Sequence, residues 1–171
     1  MNEIREIVTK AIVGKGKKLI KIKENVTPRF EAFSILGVWV INHEFEAMLA
    51  EENRVEISGN FEIHIWYSHD DNTKTDIAKK VVSYTQSVNT RQIVREVTDN
   101  SRDVIVRIIQ QPTCTNAKLV GSEIEAEIVF EVVAEVIGET KMMVTVFTQV
   151  ENFEPIDDDF ENEINENFLN T

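Results

Sequence analysis

The sequence has one cysteine, no long hydrophobic run and no signal-like start, and each absence argues against a class of protein. The single cysteine, Cys114, permits no internal disulfide and no cysteine-cluster zinc site. This fits a protein made in a reducing cytosol, and it leaves a crosslink between two chains open. The longest uncharged apolar run, Ala32–Asn42, is too short to cross a bilayer, so we expect no direct membrane insertion. Charges at Glu3, Arg5 and Glu6 interrupt the apolar core that a signal peptide needs, so none is expected.

The chain also lacks the spacings of known catalytic and metal sites. The segment GKGKK (residues 14–18) has the wrong glycine spacing for a phosphate loop, and neither G-x-S-x-G nor H-E-x-x-H occurs. A metal trio of His43, His64 and His69 is conceivable. However, His64 and His69 are five residues apart and would point to opposite faces of a strand, which favours surface or strand-rim histidines. We therefore predict a protein that is not an enzyme, with no catalytic residue, cofactor or metal.

Positive charge is missing from the end of the chain. The net charge is -12, and eight acidic residues from Glu151 onward stand without a Lys or Arg. The overall acidity argues against nucleic acid as a partner, because phosphate binding needs a net basic face. We predict that residues 151–171 form a disordered acidic tail, either for solubility or for ordering on a partner; its aromatic residues favour the second. The residues expected to contact that partner are Phe153, Asp157, Asp158, Asp159, Phe160, Glu161, Glu163, Ile164, Glu166 and Phe168.

The body of the chain alternates apolar and polar residues, which is the pattern of half-buried strands. VEISGNFEIHIWY (55–67) and IEAEIVFEVVAEVIG (124–138) show it most clearly. Further strands are expected at Lys18–Lys23, Ile35–Met48, Asp76–Ser87 and Val104–Gln110. Turn-forming residues separate them in HDDNTK (69–74), TDNS (98–101), QPTCTN (111–116) and VGSE (120–123), and GETK (138–141) is expected to close a hairpin. The predicted fold is mainly β, an antiparallel β-sandwich or partly open barrel.

The first residues follow a helical rather than an alternating pattern. The apolar residues at i, i+3, i+4, i+7 and i+8 are Ile4, Ile7, Val8, Ala11 and Ile12. This spacing predicts a short α-helix over about residues 3–13, ended by Gly14 and Gly16.

Two strands carry apolar residues on both faces. In SILGVWVIN (34–42), Ile35, Trp39 and Ile41 are expected on one face and Leu36, Val38 and Val40 on the other. The outer face of the strand at 124–137 places Val129, Val133 and Ile137 among glutamates. Such a strand is either covered on both sides within the chain or buried against a second copy.

The candidates for self-assembly are Trp39, Val129, Val133, Ile137 and Cys114. On this hypothesis, Val129→Glu or Val133→Glu weakens assembly and leaves the fold intact. The domain division is a self-assembling β-rich body with its helix over 1–150 and a recruiting tail over 151–171. The alternative is a small-molecule-binding β-barrel that holds a ligand beside Trp39 and Trp66.

Several segments together resemble the CotE family of outer spore coat morphogenetic proteins of endospore-forming bacilli. They are REIVTKAIVGKGKK (5–18), SILGVWVINHEFEA (34–47), VEISGNFEIHIWYSHDDNTKT (55–75), QQPTC (110–114) and EVVAEVIGETK (131–141), followed by the acidic tail. The order WVINH, DNTKT, VIGETK is a specific signature, and the resemblance runs over nearly the whole chain. A looser similarity over about Thr27–Val146 is to the β-rich SPOCS domain of spore coat proteins.

The resemblance implies a non-enzymatic scaffold made in the mother-cell cytoplasm and assembled into the spore outer coat. Such a protein would form a homo-oligomer and attach to the coat basement layer through its morphogenetic ATPase. It would recruit outer coat proteins through the C-terminal tail, and help to attach the exosporium in species that form one. The family has no catalytic residues to carry over.

Overall fold

The structure, a computed structural model, describes residues 2–95 and 97–147 and shows an antiparallel β protein. Its strands are β1 (Asn2–Val26), β2 (Ser34–Glu51), β3 (Arg54–His69), β4 (Lys74–Asn89), β5 (Arg91–Gln92), β6 (Arg102–Val120) and β7 (Glu123–Phe147). One sheet has the order β5-β1-β7-β6 and the other β2-β3-β4. The prediction of a mainly β, antiparallel fold is confirmed, and the described strands form no closed barrel. Within these residues there is no helix that could cross a bilayer.

A single apolar core lies between the two sheets within Ile7–Met142. The inward residues of β3 and β7 follow the predicted alternation and are almost completely buried. They are Val55, Ile57, Phe61, Ile63, Ile65 and Tyr67 on β3, and Ile124, Ala126, Ile128, Phe130, Val132, Ala134 and Val136 on β7. Full burial of a side chain such as Ile or Phe stabilises the fold by about 1.5–3 kcal/mol, so these two strands are the centre of the fold.

The edges of the two sheets are covered differently on the two sides of the core. On one side β2 and β6 lie next to each other. On the other side, lysine side chains connect β1 and β4: the Lys18 ammonium donates to the Ser87 carbonyl oxygen at 2.8 Å, and the Lys80 ammonium to that of Asn25 at 2.8 Å. Lysines on edge strands also oppose pairing with further strands.

The predicted N-terminal helix is wrong, because residues 2–26 form strand β1. Val13, Ile20 and Val26 reach the core, and the inward positions alternate along the strand before and after a shift at residues 13–14. Gly16 does not end a helix. A Cβ there would lie 2.1 Å from the Asn89 carbonyl oxygen, so the glycine allows close approach of the chain that follows β4. The β-branched Ile, Val and Thr residues of this segment favour a strand once a partner strand is present.

Two predicted turns are also wrong. GETK does not close a hairpin, because β7 continues through it: Gly138 pairs with Arg102 of β6, and Thr140 is buried. QPTCTN lies inside β6, where the pairing with β7 shifts between Gln110 and Thr113 and again between Cys114 and Asn116. Irregular pairing therefore accommodates turn-forming residues without reversing the chain. The turns at HDDNTK and VGSE and the loop at TDNS are confirmed.

The chain divides into two packing units. The larger is Ile7–Met142. The described part of the smaller consists of residues 2–6 and 143–147, the outer ends of β1 and β7, where Ile4, Met143 and Phe147 are exposed. The predicted tail at 151–171 lies outside the described residues, and the division at residue 150 stays a prediction.

Candidate interaction surface

A shift in strand pairing sets which apolar residues of β2 point outward. The register of β2 on β3 shifts between Ile35 and Gly37. As a result Ile35 packs against the core together with Val38 and Val40, and Leu36 is exposed with Trp39 and Ile41. The prediction that Ile35 shares a face with Trp39 and Ile41 is therefore wrong. A bulge of one extra residue turns the side chains that precede it to the opposite face of the sheet. The prediction that both faces of this strand are apolar holds.

The outward residues of β2 join others on β3 and β4 to form one apolar surface. Gly37 pairs with Trp66, which pairs with Ile77; Ile41 pairs with Glu62, which pairs with Val81. We call this surface the tryptophan face; its members are Leu36, Trp39, Ile41, Trp66, Ile77 and Val81. They are between 36% and 63% exposed, although most side chains of this kind are buried in a folded chain. The Trp39 ring lies over Gly37, with 3.0 Å from the ring to the position that a Cβ would occupy.

Four polar side chains, Asn42, Glu62, His64 and Lys79, lie within or beside the tryptophan face, and Glu62 is bonded to two of them. His64 Nε2 donates to Glu62 Oε2 at 3.0 Å, and the Asn42 amide donates to Glu62 Oε1 at 3.1 Å. The hydrogen bonds from His64 and Asn42 hold the pKa of Glu62 below its usual range. Lys79 of β4 pairs with His64 of β3 and adds positive charge beside the Glu62 carboxylate. The negative charge of Glu62 is therefore balanced by positive charge within the same face.

The other two histidines are used in packing. His43 Nε2 lies 2.7 Å from the Tyr84 hydroxyl, and its ring contacts Phe45, Phe61 and Phe130. His69 ends β3, at the strand rim as predicted, but its side chain is buried and stacks on Phe30 with ring centroids 4.3 Å apart. Among residues 2–95 and 97–147, no three His, Cys, Asp or Glu side chains are grouped to hold a metal.

The predicted assembly residues of β7 lie on the other sheet and are covered within the chain. Val129 and Val133 are each 7% exposed. Around them, Arg107 of β6 forms an ion pair with Glu135, and Lys17 of β1 forms one with Glu131 at 3.0 Å. A strand with apolar residues on both faces is either covered within its own chain or buried against a second copy. For Val129 and Val133, the structure shows the first: neighbouring strands of the same chain cover them. Ile137 is partly exposed. An assembly role for these residues stays a prediction.

Cys114 is half-buried on β6, opposite Ile128, and packs against the core. Its thiol donates to the Asn116 carbonyl oxygen at 3.3 Å, and burial raises the pKa of the thiol. A higher pKa leaves less of the reactive thiolate at neutral pH. The role of Cys114 in a crosslink stays a prediction, as do the roles of all the predicted tail residues, which lie outside the described part of the chain.

The structure does not place the two tryptophans beside an internal cavity. Both lie on the outside of the β2-β3-β4 sheet. A small cavity of about 30 Å³ is lined by Val13, Thr90 and Val136, among others, and has room for about one water molecule. Trp39 and Trp66 therefore face away from the core, whereas the barrel alternative places them beside a ligand in the interior.

Sequence reasoning identified Trp39 but missed Trp66, Ile77 and Val81 as members of the same surface. The parity of VEISGNFEIHIWY did place Trp66 on the outer side of its strand, opposite to Tyr67. Ile77 and Val81 occupy alternate positions with Lys79 between them. The alternation was a usable signal, but only the cross-strand register brings the three strands together.

Comparison with models of known protein families identifies one family for this chain. The model of one protein family, described as outer spore coat protein E (CotE), matches residues 3–171. No curated protein and no solved structure matches the chain. Because the family match covers the chain almost from end to end, this protein belongs to the outer spore coat protein E (CotE) family and is a protein of the spore outer coat.

Proposed function

We propose that this protein is a non-enzymatic structural scaffold of the spore outer coat that self-assembles on the forespore surface. The observation that carries the proposal is the tryptophan face, which gathers six exposed apolar side chains on one side of a sheet in the body of a coat protein. Exposed apolar patches of this size on a single chain typically mark interaction sites, because leaving them in water is unfavourable.

The use of the reactive side chains supports a structural rather than a catalytic role. The imidazoles of His43 and His69 are packed against aromatic rings, His64 is bonded to Glu62, and the Cys114 thiol is half-buried with a raised pKa. A general base or nucleophile needs access to a substrate and a pKa suited to its task. These groups instead stabilise the fold.

Within this proposal the protein is made in the mother-cell cytoplasm, attaches to the coat basement layer through the morphogenetic ATPase, and recruits outer coat and exosporium proteins. Recruitment is assigned to the tail, residues 151–171, because aromatic residues among carboxylates suit a segment that orders on a partner.

Light scattering and negative-stain microscopy of the full-length protein, over a range of concentrations, test self-assembly. We expect defined oligomers or sheets whose mass grows with concentration. A monomer at every concentration would contradict the scaffold.

Recruitment is tested with full-length variants in binding to purified outer coat proteins. Replacing Phe160, Ile164 and Phe168 by Ser should abolish binding without changing the oligomer. A matched control replaces Asn162, Asn165 and Asn167 by Ser, which keeps the apolar residues and the acids. If both variants bind equally well, the apolar residues of the tail do not recruit partners, and only its negative charge remains as an explanation for binding.

A further inference from the structure

We infer that the tryptophan face is the self-association surface and that its occupant is the same face of a second copy, related by a two-fold axis. This inference rests on the proposed function, because that proposal takes the tryptophan face as an interaction surface. The inference names the partner that the face contacts. A self-complementary patch related by a two-fold axis is the commonest arrangement in soluble homo-oligomers.

The size and composition of the face suit the centre of a dimer contact. Its six apolar side chains together present on the order of 500 Å², which is the range of functional patches on single chains. A standard interface buries about 800 Å² on each partner, so the face would supply most of it and polar neighbours would form the rim. Two tryptophans lie among the six, and tryptophan is enriched among the residues that contribute most to binding.

The polar groups inside the face do not prevent its burial. Covering an unpaired carboxylate is costly, but both oxygens of Glu62 already accept hydrogen bonds, one from His64 and one from Asn42. Lys79 is exposed beside them and can keep its ammonium at the rim while its methylene groups pack. A second copy can therefore cover Glu62 without leaving either carboxylate oxygen unpaired.

Charge favours a second copy over the acidic tail as the occupant. The other half of the same sheet carries Glu44, Glu46 and Glu56 on its outer side. They would repel a segment that holds eight acids and no Lys or Arg. With a second copy, a two-fold axis that runs across the strands through the centre of the tryptophan face carries the two acidic halves to opposite ends of the contact. Repulsion then does not oppose the contact.

The test compares two full-length double variants by light scattering. Ile77→Glu with Val81→Glu places charges in the face at positions that are 46% and 63% exposed, so the fold should survive, as circular dichroism will show. Ser83→Glu with Thr85→Glu is the control, on exposed outward positions further along the same strand. We expect self-association of the first variant to weaken by at least about tenfold and that of the control to stay at the wild-type level.

The outcomes separate the inference from the proposed function. If wild type assembles and the face variant assembles equally well, the face is not the contact, although the scaffold stands. If wild type is always a monomer, the scaffold itself fails.

The two-fold relation is tested by mixing tagged wild type with the variant that carries Ile77→Glu and Val81→Glu. The concentration is the lowest at which the measured mass of wild type exceeds that of a monomer. A two-fold contact needs the face on both copies, so wild type should capture wild type but not the variant. Equal capture of the variant would mean that the face packs against a different surface, and would overturn the two-fold relation.

Discussion

At the scale of single residues, His43 shows how a polar group is built into this core. Its ring is surrounded by Phe45, Phe61 and Phe130 and bonded to the Tyr84 hydroxyl. Burial lowers the pKa of His43 below its ordinary 6.5 and raises the pKa of Tyr84 to about 12. Both side chains are therefore neutral at pH 7, and their hydrogen bond depends on an uncharged imidazole.

We expect the free energy of unfolding to fall as the pH is lowered below 6.5, the ordinary pKa of a histidine. The unfolded chain binds a proton at His43 more tightly than the folded chain does, so stability rises with pH in this range and is lost as the pH falls. The slope from this one group is at most about 1.4 kcal/mol per pH unit. Urea unfolding at a series of pH values measures it. If His43→Gln shows the same slope, another group is responsible.

Gly59→Ala should destabilise the fold by about 1–3 kcal/mol, the usual cost of overpacking. The added Cβ would lie 2.4 Å from the Glu44 carbonyl oxygen and 2.8 Å from the Tyr84 hydroxyl, and the carbonyl belongs to the backbone of a paired strand. Urea midpoints of the variant and wild type provide the measurement. Gly14→Ala is the matched control, because its Cβ would meet no atom closer than 3.4 Å. Equal midpoints for Gly59→Ala and wild type would contradict the close approach.

At the scale of elements, alternation in the sequence predicted β3 and the first part of β7 well. Both strands carry one face that is entirely apolar, so the local pattern and the tertiary environment agree. Strand β1 was mispredicted because Ile4, Ile7 and Val8 fit a helical spacing as well as a strand, and only pairing with a neighbour decides between them. Alternation could place Trp39 with Ile41 and put Trp66 on an outer side, but it could not bring the three strands of the tryptophan face together, since the register shift in β2 and the order β2-β3-β4 are not local properties.

The position of Val133 in a central strand gives a prediction about stability. The sequence alone predicted that Val133→Glu leaves the fold intact, and the burial of Val133 revises this. Val133→Glu should lower the free energy of unfolding by about 2–4 kcal/mol, because the charge would enter a site that neighbouring strands cover. Val81→Glu, at an exposed position of an edge strand, should lower it by less than about 1 kcal/mol, mostly through repulsion from Glu62 on the paired strand. Denaturant unfolding of the two variants, under conditions that keep both monomeric, makes the comparison. Similar stabilities would contradict the burial of Val133.

At the scale of the whole molecule, the chain combines a buried apolar core with an apolar surface on the outside of one sheet. A buried core together with an exposed apolar surface suits the proposed role in assembly. Charge is distributed accordingly: the acidic half of the β2-β3-β4 sheet is separate from the tryptophan face. Membership in the CotE family places the protein in the spore outer coat.

The most direct test uses the chain's own fluorescence, because it has two tryptophans and both lie on the tryptophan face. Emission and acrylamide quenching of the full-length protein should be followed against concentration, alongside light scattering. We predict that emission shifts to shorter wavelength and quenching falls over the same concentrations at which the mass rises. A rising mass with unchanged fluorescence would contradict assembly through this face.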